Sequence, residues 1–105
     1  MRHLNALPLS ALRVIEATGR LGTLTAAAQE LGVTPGALSQ RLRKAEEELG
    51  RPLFHRPPEG LTPTEALLEI LPRLSRAMAD LDAAAGALRG GEPGVLTLSV
   101  APVFA

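Results

Sequence analysis

The chain has 105 residues, 46% of them hydrophobic, and its 11 basic and 11 acidic side chains give a formal net charge of zero at pH 7. This length and hydrophobic content predict one modest core and exclude a disordered chain or two full domains. Because there is no cysteine, no apolar run of the roughly 20 residues needed to cross a membrane and no signal-peptide core, we expect a cytoplasmic protein without disulfides, metal, cofactor or membrane partner.

The charges are distributed unevenly along the chain. Residues 1–63 carry eight Lys and Arg against six Asp and Glu, and residues 64–105 carry three against five. The basic residues of the first part concentrate in one segment, at Arg41, Arg43, Lys44, Arg51 and Arg56. We therefore expect a small cationic footprint for nucleic acid, weak in one copy and dependent on salt, which the glutamates at 46–48, predicted to form a solvated helix end, partly offset.

The first predicted helix falls between Leu4 and Gly19 and starts near Pro8 and Ser10. Its apolar residues, expected to pack against the two helices that follow, are Leu9, Leu12, Val14 and Ile15. The connection to the next helix is predicted at Arg20, Gly22 and Thr23.

Two further helices are predicted on either side of a turn at Gly32 and Val33. Thr23 is expected to cap the first by accepting from the amide of Thr25 or Ala26. The second has Thr34 as its N-cap and Pro35 at the first helical position, where a missing amide removes no hydrogen bond. The predicted buried stripes are Leu24, Ala27, Ala28 and Leu31 in the first helix and Leu38, Leu42, Ala45 and Leu49 in the second, which Gly50 ends.

The opposite face of the second of these helices carries small, amide and basic side chains, namely Gly36, Ser39, Gln40, Arg41, Arg43 and Lys44. Such side chains suit DNA bases and phosphates, so the pair is interpreted as a helix-turn-helix whose second helix enters a groove. An ordinary helical hairpin with a solvated polar face is the alternative interpretation.

A wing is predicted directly after this helix. Residues 51–56 have strand character, residues 57–60 form a proline and glycine turn, and residues 61–62 are a return strand. Phe54 is expected to fill the core beneath the wing. Arg56 would meet the phosphate backbone or the minor groove, although a solvated arginine is equally consistent with the sequence.

A long helix over residues 64–89 is predicted to mediate dimerisation. Its apolar residues alternate at steps of four and three, which fits a heptad seam formed by Leu67, Leu71, Leu74, Met78, Leu81, Ala85 and Leu88. Leu68, Ile70 and Ala84 widen the apolar face, and Pro72 is expected to kink the axis. An exposed apolar seam of this length is typical of a homodimer and leaves a higher oligomer open.

The remaining segment, residues 90–105, is predicted to be a hinge followed by a strand at residues 95–100, which would open a domain that the sequence does not include. The predicted fold is therefore mainly α, with a winged helix-turn-helix over 1–63, a linker helix over 64–89 and this segment over 90–105. We expect the chain to be a fragment or a truncated natural product.

The order of these elements resembles the N-terminal part of LysR-type transcriptional regulators of bacteria. The matching residues are Thr25 to Ala28 with Leu31, Val33 to Gln40, Glu46 to Gly50, Leu53, Phe54 and Arg56, and Thr64 to Ala66. The resemblance implies a winged helix-turn-helix, a dimer formed by the linker helix, and an absent C-terminal domain that binds a small-molecule co-inducer. The family touches DNA at positions that here correspond to Thr25, Pro35, Gly36, Ser39, Gln40, Arg41 and Arg56.

The chain departs from the family pattern at three places, none of which predicts a different fold. Ala45 replaces a frequent leucine, residues 57–59 make the usually basic wing acidic, and the linker helix opens with Pro63, Thr64 and Leu67 in place of a leucine, a threonine and a following glycine. The smaller core and the less basic wing predict weaker DNA binding. The leading hypothesis is a dimeric, sequence-specific regulator on an inverted repeat, with Thr34 and Arg43 also at the interface. The alternative is a module that pairs with full-length regulators without tight DNA binding. No enzyme is expected, because the two histidines are isolated and no catalytic constellation is evident.

Overall fold

A computed structural model of the chain describes residues 1–56 and 60–90. The chain divides into two compact units, Met1–Ser75 and Arg76–Ala105. The described elements are α1 (Arg2–Ala6), α2 (Leu9–Leu21), α3 (Leu24–Leu31), α4 (Pro35–Leu49), β1 (Phe54–His55), β2 (Thr62–Pro63) and α5 (Glu65–Arg89). The predicted class, a mainly helical fold with a two-stranded wing, is confirmed.

The start of the chain contains a short helix, α1, that the sequence pattern did not predict. Leu7 is extended at φ −128° and ψ 111°, as expected for a residue before proline, so α1 ends there and cannot continue into α2. Pro8 is the N-cap of α2, which confirms the predicted start.

The end of α2 differs from the prediction. The helix continues to Leu21, so Arg20 belongs to α2 and not to the connection. Gly22 is the residue that ends it, in a left-handed conformation at φ 81°. Gly19 lies inside the helix at a close approach of α5, because a Cβ placed there would lie 3.0 and 3.1 Å from the two terminal methyl groups of Leu71.

The two helices of the helix-turn-helix begin and end where the sequence indicated. The hydroxyl of Thr23 accepts from the amide of Ala26 at 3.1 Å, and that of Thr34 accepts from the amide of Ala37 at 3.1 Å. Gly32 and Gly50 end α3 and α4 in left-handed conformations. Each side-chain cap of this kind stabilises a helix by about 1 kcal/mol.

The core of the first unit draws on α2, α3, α4, the segment at β1 and the start of α5. It comprises Val14, Ile15, Ala17, Ala27, Ala28, Leu38, Leu42, Ala45, Leu53, Phe54 and Leu67. Phe54 is buried beneath the wing, as predicted. Leu49 is 40% exposed, so its assignment to the buried stripe was wrong; it lies in the last turn of α4, and Leu53 and Phe54 enter the core beyond the Gly50 turn.

The first strand of the wing is shorter than predicted, and the second is shifted by one residue. Phe54 pairs with Pro63 and His55 with Thr62 in an antiparallel register, so the return strand covers residues 62–63 and not 61–62. Pro63 lacks an amide to donate, which suits an edge strand and prevents a longer ladder. Residues 57–59 of the turn predicted at 57–60, and the strand predicted at 95–100, lie outside the described residues.

The helix α5 starts close to the predicted position and is anchored to the wing. The amide of Thr64 donates to the carbonyl of Leu53 at 2.9 Å, and its hydroxyl donates to the same oxygen at 3.2 Å. The helix passes through Pro72 and ends at Arg89. Its first turns belong to the compact unit that ends at Ser75, which is therefore longer than the domain predicted over 1–63.

Within residues 1–56 and 60–90, no helix combines the length and the apolar character needed to span a lipid bilayer.

Candidate nucleic-acid interface

The first half of α4 presents an open polar surface. Thr34, Pro35, Gly36 and Gln40 are exposed, and Ser39 is half-buried. A Cβ built on Gly36 would meet nothing within 4 Å, so this part of the helix surface is free of neighbouring protein. Leu38 and Leu42 are buried on the opposite side. The predicted recognition surface is thus accessible, and the alternation of buried and exposed residues follows the helical period.

Basic side chains flank this surface on both sides of α4. Arg43 and Ser39 line a cleft of about 330 Å³ between α4 and the wing, together with Leu24, Leu42, Arg56, Gly60 and Leu61. Arg41 and Lys44 line a separate cleft of about 430 Å³ beside the start of α2. Among the described residues, none of these three α4 cations forms an ion pair.

The wing is fixed to α4 by the carboxylate of Glu46. Its Oε2 accepts from the amides of Leu53 and Phe54 at 2.7 and 3.2 Å, and its Oε1 accepts from Arg56 Nη2 at 2.8 Å. Burial raises the pKa of Glu46, but the hydrogen bonds from Arg56 and the two amides outweigh it and hold the pKa below its usual range. The expectation that residues 46–48 form a solvated helix end was therefore wrong for Glu46, whose neighbours Glu47 and Glu48 are exposed.

The other side of the wing is attached to the turn between α2 and α3. The amide of Leu61 donates to the carbonyl of Gly22 at 3.2 Å. Gly60 has φ 132°, and a Cβ added there would lie 3.2 Å from the same carbonyl oxygen. A side chain at position 60 would strain this contact, so glycine is needed to bring the wing against the helix-turn-helix.

A buried carboxylate joins α2, α3 and the start of α5. Glu16 accepts from Arg20 Nε at 2.7 Å and from Ser75 Oγ at 2.8 Å, and Arg20 also pairs with the exposed Glu30. The hydrogen bond from Arg20 lowers the pKa of Glu16, against the effect of burial, and Glu16 and Glu30 together raise the pKa of Arg20.

Sequence reasoning missed this cluster, although the spacing of Glu16 and Arg20 by four residues on a helix was a usable signal. Its connections to Glu30 and Ser75 had no sequence signal, because they depend on how α3 and α5 pack.

The residues predicted for dimerisation have different environments. Leu67 is 0% exposed in the core of its own unit, so it cannot pair two helices, and its assignment to the seam was wrong. Leu71 packs against Gly19 and Leu74 against the same core. Leu68 and Ile70, which widen the predicted apolar face, are half exposed. Over the first turns of α5, the predicted seam residues Leu67, Leu71 and Leu74 therefore pack within their own unit.

The second unit keeps an apolar surface on its part of α5. Leu81 is 44% exposed and Leu88 is 88% exposed, while Ala85 is exposed and Met78 half-buried.

Thr25, in the first unit, is exposed in the first turn of α3.

A capped helix pair with an exposed polar second helix, followed by a two-stranded wing held against it, defines a winged helix-turn-helix protein. Residues 9–66 match the model of the bacterial regulatory helix-turn-helix proteins of the lysR family, and the chain belongs to this family. It corresponds to the N-terminal DNA-binding domain region of such regulators.

Known relatives and structures agree with this assignment. The chain is 43% identical over 100 residues, or 94% of its length, to the transcriptional activator AmpR of Providencia stuartii, and it covers 34% of that protein. It is similar to a probable transcriptional regulator, PA0477 of Pseudomonas aeruginosa, with a TM-score of 0.78 at 27% identity over 89% of this chain and 31% of that one.

The fold is also that of BenM_DBD in its complex with benA site 1 DNA, with a TM-score of 0.67 at 23% identity over 79% of this chain and 96% of that one. The chain spans about a third of the length of the curated relatives.

Proposed function

We propose that this chain binds double-stranded DNA as the sequence-reading part of a lysR-family transcriptional regulator. The observation that supports the proposal is the accessible polar surface on the first half of α4, bordered by cations on both sides and by the wing. An α-helix of this diameter fits the major groove, where each base pair shows a distinct pattern of donors and acceptors.

Within this proposal, Gln40 and Ser39 read base edges. Gln40 is exposed one turn after Gly36, which leaves space for the edge of a base because it has no side chain. A glutamine amide can donate to and accept from adenine at the same time, whereas the shorter serine is less selective. Arg41 lies at the side of this surface, within reach of a base edge or a phosphate.

Phosphate contacts are proposed around the bases. The first amides of α4 carry partial positive charge, and Thr34 and Pro35 at the helix start are exposed to a phosphate. Arg43 and Arg56 in the wing-side cleft, and Thr25 in the first turn of α3, complete the set. These contacts set the register of α4 on the duplex and carry most of the salt dependence.

We propose that two chains pair through α5 so that two α4 helices meet an inverted repeat. Pairing over the second unit is supported by the exposed Leu81 and Leu88. Met78 precedes them in the predicted seam, and Ala85 lies between them. Two half-sites then add their binding free energies, which offsets the weak binding expected of a chain with no net charge.

For the complete regulator we propose a DNA-binding domain over 1–63, a dimerisation helix over 64–89 and a segment over 90–105 that leads to a co-inducer-binding domain.

The base-reading proposal is tested with duplexes selected from a random library by the wild-type chain. Gln40→Ala is expected to change the selected sequence and to weaken binding of the wild-type site by about tenfold, since one bidentate base contact contributes about 1–3 kcal/mol. The matched control is Gln29→Ala, which truncates another exposed glutamine, on α3. Identical selected sequences for the two variants would contradict the role of Gln40, and no enrichment by the wild-type chain would contradict the function itself.

The phosphate contacts are tested through salt. Arg43→Gln is expected to weaken all duplexes similarly and to reduce the slope of log affinity against log salt by about one. Arg73→Gln removes the same charge from an exposed position on α5 and should leave the slope unchanged. Equal slopes for both variants would show that Arg43 does not contact the backbone.

Pairing is tested by light scattering of the DNA-free chain. Leu81→Glu is expected to convert a dimer into a monomer, whereas Ala83→Glu adds the same charge to a neighbouring exposed position outside the heptad seam and should leave the dimer intact. A wild-type chain that is monomeric at the concentrations used for DNA binding would refute the dimer. A dimer that binds no duplex would instead favour the pairing module.

A further inference from the structure

We propose that Glu46 is a positioning residue for DNA binding: it fixes the wing to α4 and presents Arg56 beside Arg43 in the cleft that faces the phosphate backbone. The inference rests on the proposed function, because it concerns how the same surface is assembled. It assigns an active role to an acidic residue in a surface whose expected ligand is anionic.

The two oxygens of Glu46 serve different parts of the wing. Oε2 accepts from the amides of Leu53 and Phe54, which fixes the main chain where β1 begins. Oε1 accepts from Arg56 Nη2 at 2.8 Å, which fixes a side chain just after β1. The side chain of Glu46 is only 11% exposed. One carboxylate therefore sets both the position of the wing base and the direction of Arg56 relative to α4.

The pairing leaves Arg56 able to bind a phosphate. A guanidinium carries five N–H donors, and the contact with Glu46 uses Nη2. Arg56 also lines the cleft with Arg43, so two cations face the same space. Without Glu46, solvation would favour other rotamers of Arg56. The carboxylate holds it in place before DNA arrives, which lowers the ordering cost of binding.

A positioning role of Glu46 and a purely electrostatic role predict opposite effects of its neutralisation on DNA affinity. If Glu46 acted only through its negative charge, its neutralisation would remove repulsion of phosphates and strengthen binding. If it positions the wing, its neutralisation removes one of the two acceptor oxygens and weakens the hydrogen bonds from the two amides and Arg56, and DNA binding becomes weaker. Glu47 is the matched comparison, since it is the next residue of α4, carries the same charge and is exposed.

The experiment measures duplex affinity of Glu46→Gln and Glu47→Gln by fluorescence anisotropy over a range of salt. Glu47→Gln is expected to bind the wild-type site slightly more tightly, by about twofold, and Glu46→Gln to bind it about tenfold more weakly. Arg56→Gln should weaken the wild-type chain but change Glu46→Gln little, because the two substitutions remove the same arrangement. Glu46→Asp keeps the charge on a shorter side chain and should fall between wild type and Glu46→Gln.

Hydrogen exchange in the DNA-free chain provides a readout that does not depend on affinity. Faster exchange is expected at the amides of Leu53 and Phe54 in Glu46→Gln, with no change at the core amides of Leu38 and Leu42, and no change at any of them in Glu47→Gln. Equal gains in affinity for the two glutamine variants, an undiminished effect of Arg56→Gln in the Glu46→Gln background, or unchanged exchange at both wing amides would each overturn the inference. If the wild-type chain binds no duplex, the proposed function itself is contradicted, and this result is distinct from the three outcomes that would overturn the role of Glu46.

Discussion

The cluster around Glu16 allows a prediction of how much one buried carboxylate stabilises the fold. Glu16→Gln keeps the size of the side chain but removes the charge that accepts from Arg20 and Ser75. Because these contacts join α2 to α5 within the first unit, and Arg20 continues from there to Glu30 on α3, the substitution tests whether the cluster holds three helices together.

The magnitude follows from burial and from what remains after the substitution. Glu16 is 4% exposed, and breaking a fully buried ion pair costs about 3–5 kcal/mol. The Arg20 side chain is 41% exposed and keeps Glu30 as a partner, so it is not left as an unpaired buried charge. We therefore expect the free energy of unfolding to fall by about 2 kcal/mol, near the lower end of the contributions of hydrogen bonds to charged groups. For a domain of this size, such a loss lowers the Tm by roughly 10 °C.

The pH dependence provides a second measurement. The folded pKa of Glu16 is lowered, so its stabilisation is complete above the unfolded value of about 4.3 and is lost as the pH falls through the folded pKa. The difference in free energy of unfolding between wild type and Glu16→Gln should be constant near neutral pH and shrink below pH ~4. The pKa of Glu46 is also lowered, but Glu46 is present in both proteins, so its contribution to the pH dependence cancels in this difference.

The assay is urea unfolding at fixed protein concentration, with Glu30→Gln as the control. Glu30→Gln removes a carboxylate that pairs with the same arginine, Arg20, but the Glu30 side chain is 43% exposed. We therefore expect its free energy of unfolding to fall by less than about 1 kcal/mol. Equal losses for Glu16→Gln and Glu30→Gln, or a difference that does not change between neutral and acidic pH, would refute the reasoning.

Two further predictions concern the backbone of the helix-turn-helix and the wing. Thr34→Ala removes the cap of α4 and should lower the free energy of unfolding by about 1 kcal/mol. The control Thr25→Ala, inside the first turn of α3, should change it by less than about 0.5 kcal/mol. The measurement is the midpoint of urea unfolding, and equal shifts for the two variants would contradict the role of the cap. Gly60→Ala should destabilise by about 1–2 kcal/mol because of its φ of 132° and the nearby carbonyl of Gly22, while Gly36→Ala, in a helix with open space around it, should stabilise by about 0.5–1 kcal/mol. A Gly60→Ala protein as stable as wild type would argue against the strained contact.

The wing illustrates how the interface depends on residues that do not face DNA. Gly60 and the Leu61 amide hold one side of the wing against the Gly22 carbonyl, and Glu46 holds the other side against α4. A ladder of two residues in each strand would be marginal alone. The orientation of Arg56 is therefore a property of the surrounding contacts.

The sequence by itself determined the elements whose signals are local. Thr23, Thr34 and Pro35 mark helix starts because capping satisfies free amides within a few residues, and Gly32 and Gly50 mark helix ends because they adopt left-handed angles readily. The exposed polar surface of α4 followed from the helical period, and the order of the elements along the chain was sufficient to indicate the lysR family.

Only the tertiary structure decided features that depend on distant parts of the chain. Gly19 has the sequence signature of a helix end, yet it allows Leu71 of α5 to approach α2 closely. Leu67 fits the heptad, but the core of its own unit encloses it completely, since the apolar period does not specify which surface will cover it. Glu46 belongs to a run of three glutamates, and only the return of the chain after Gly50 brings two amides and an arginine to it. Local patterns fix where helices begin and end, whereas the partner of each side chain is set by packing between segments far apart in the sequence.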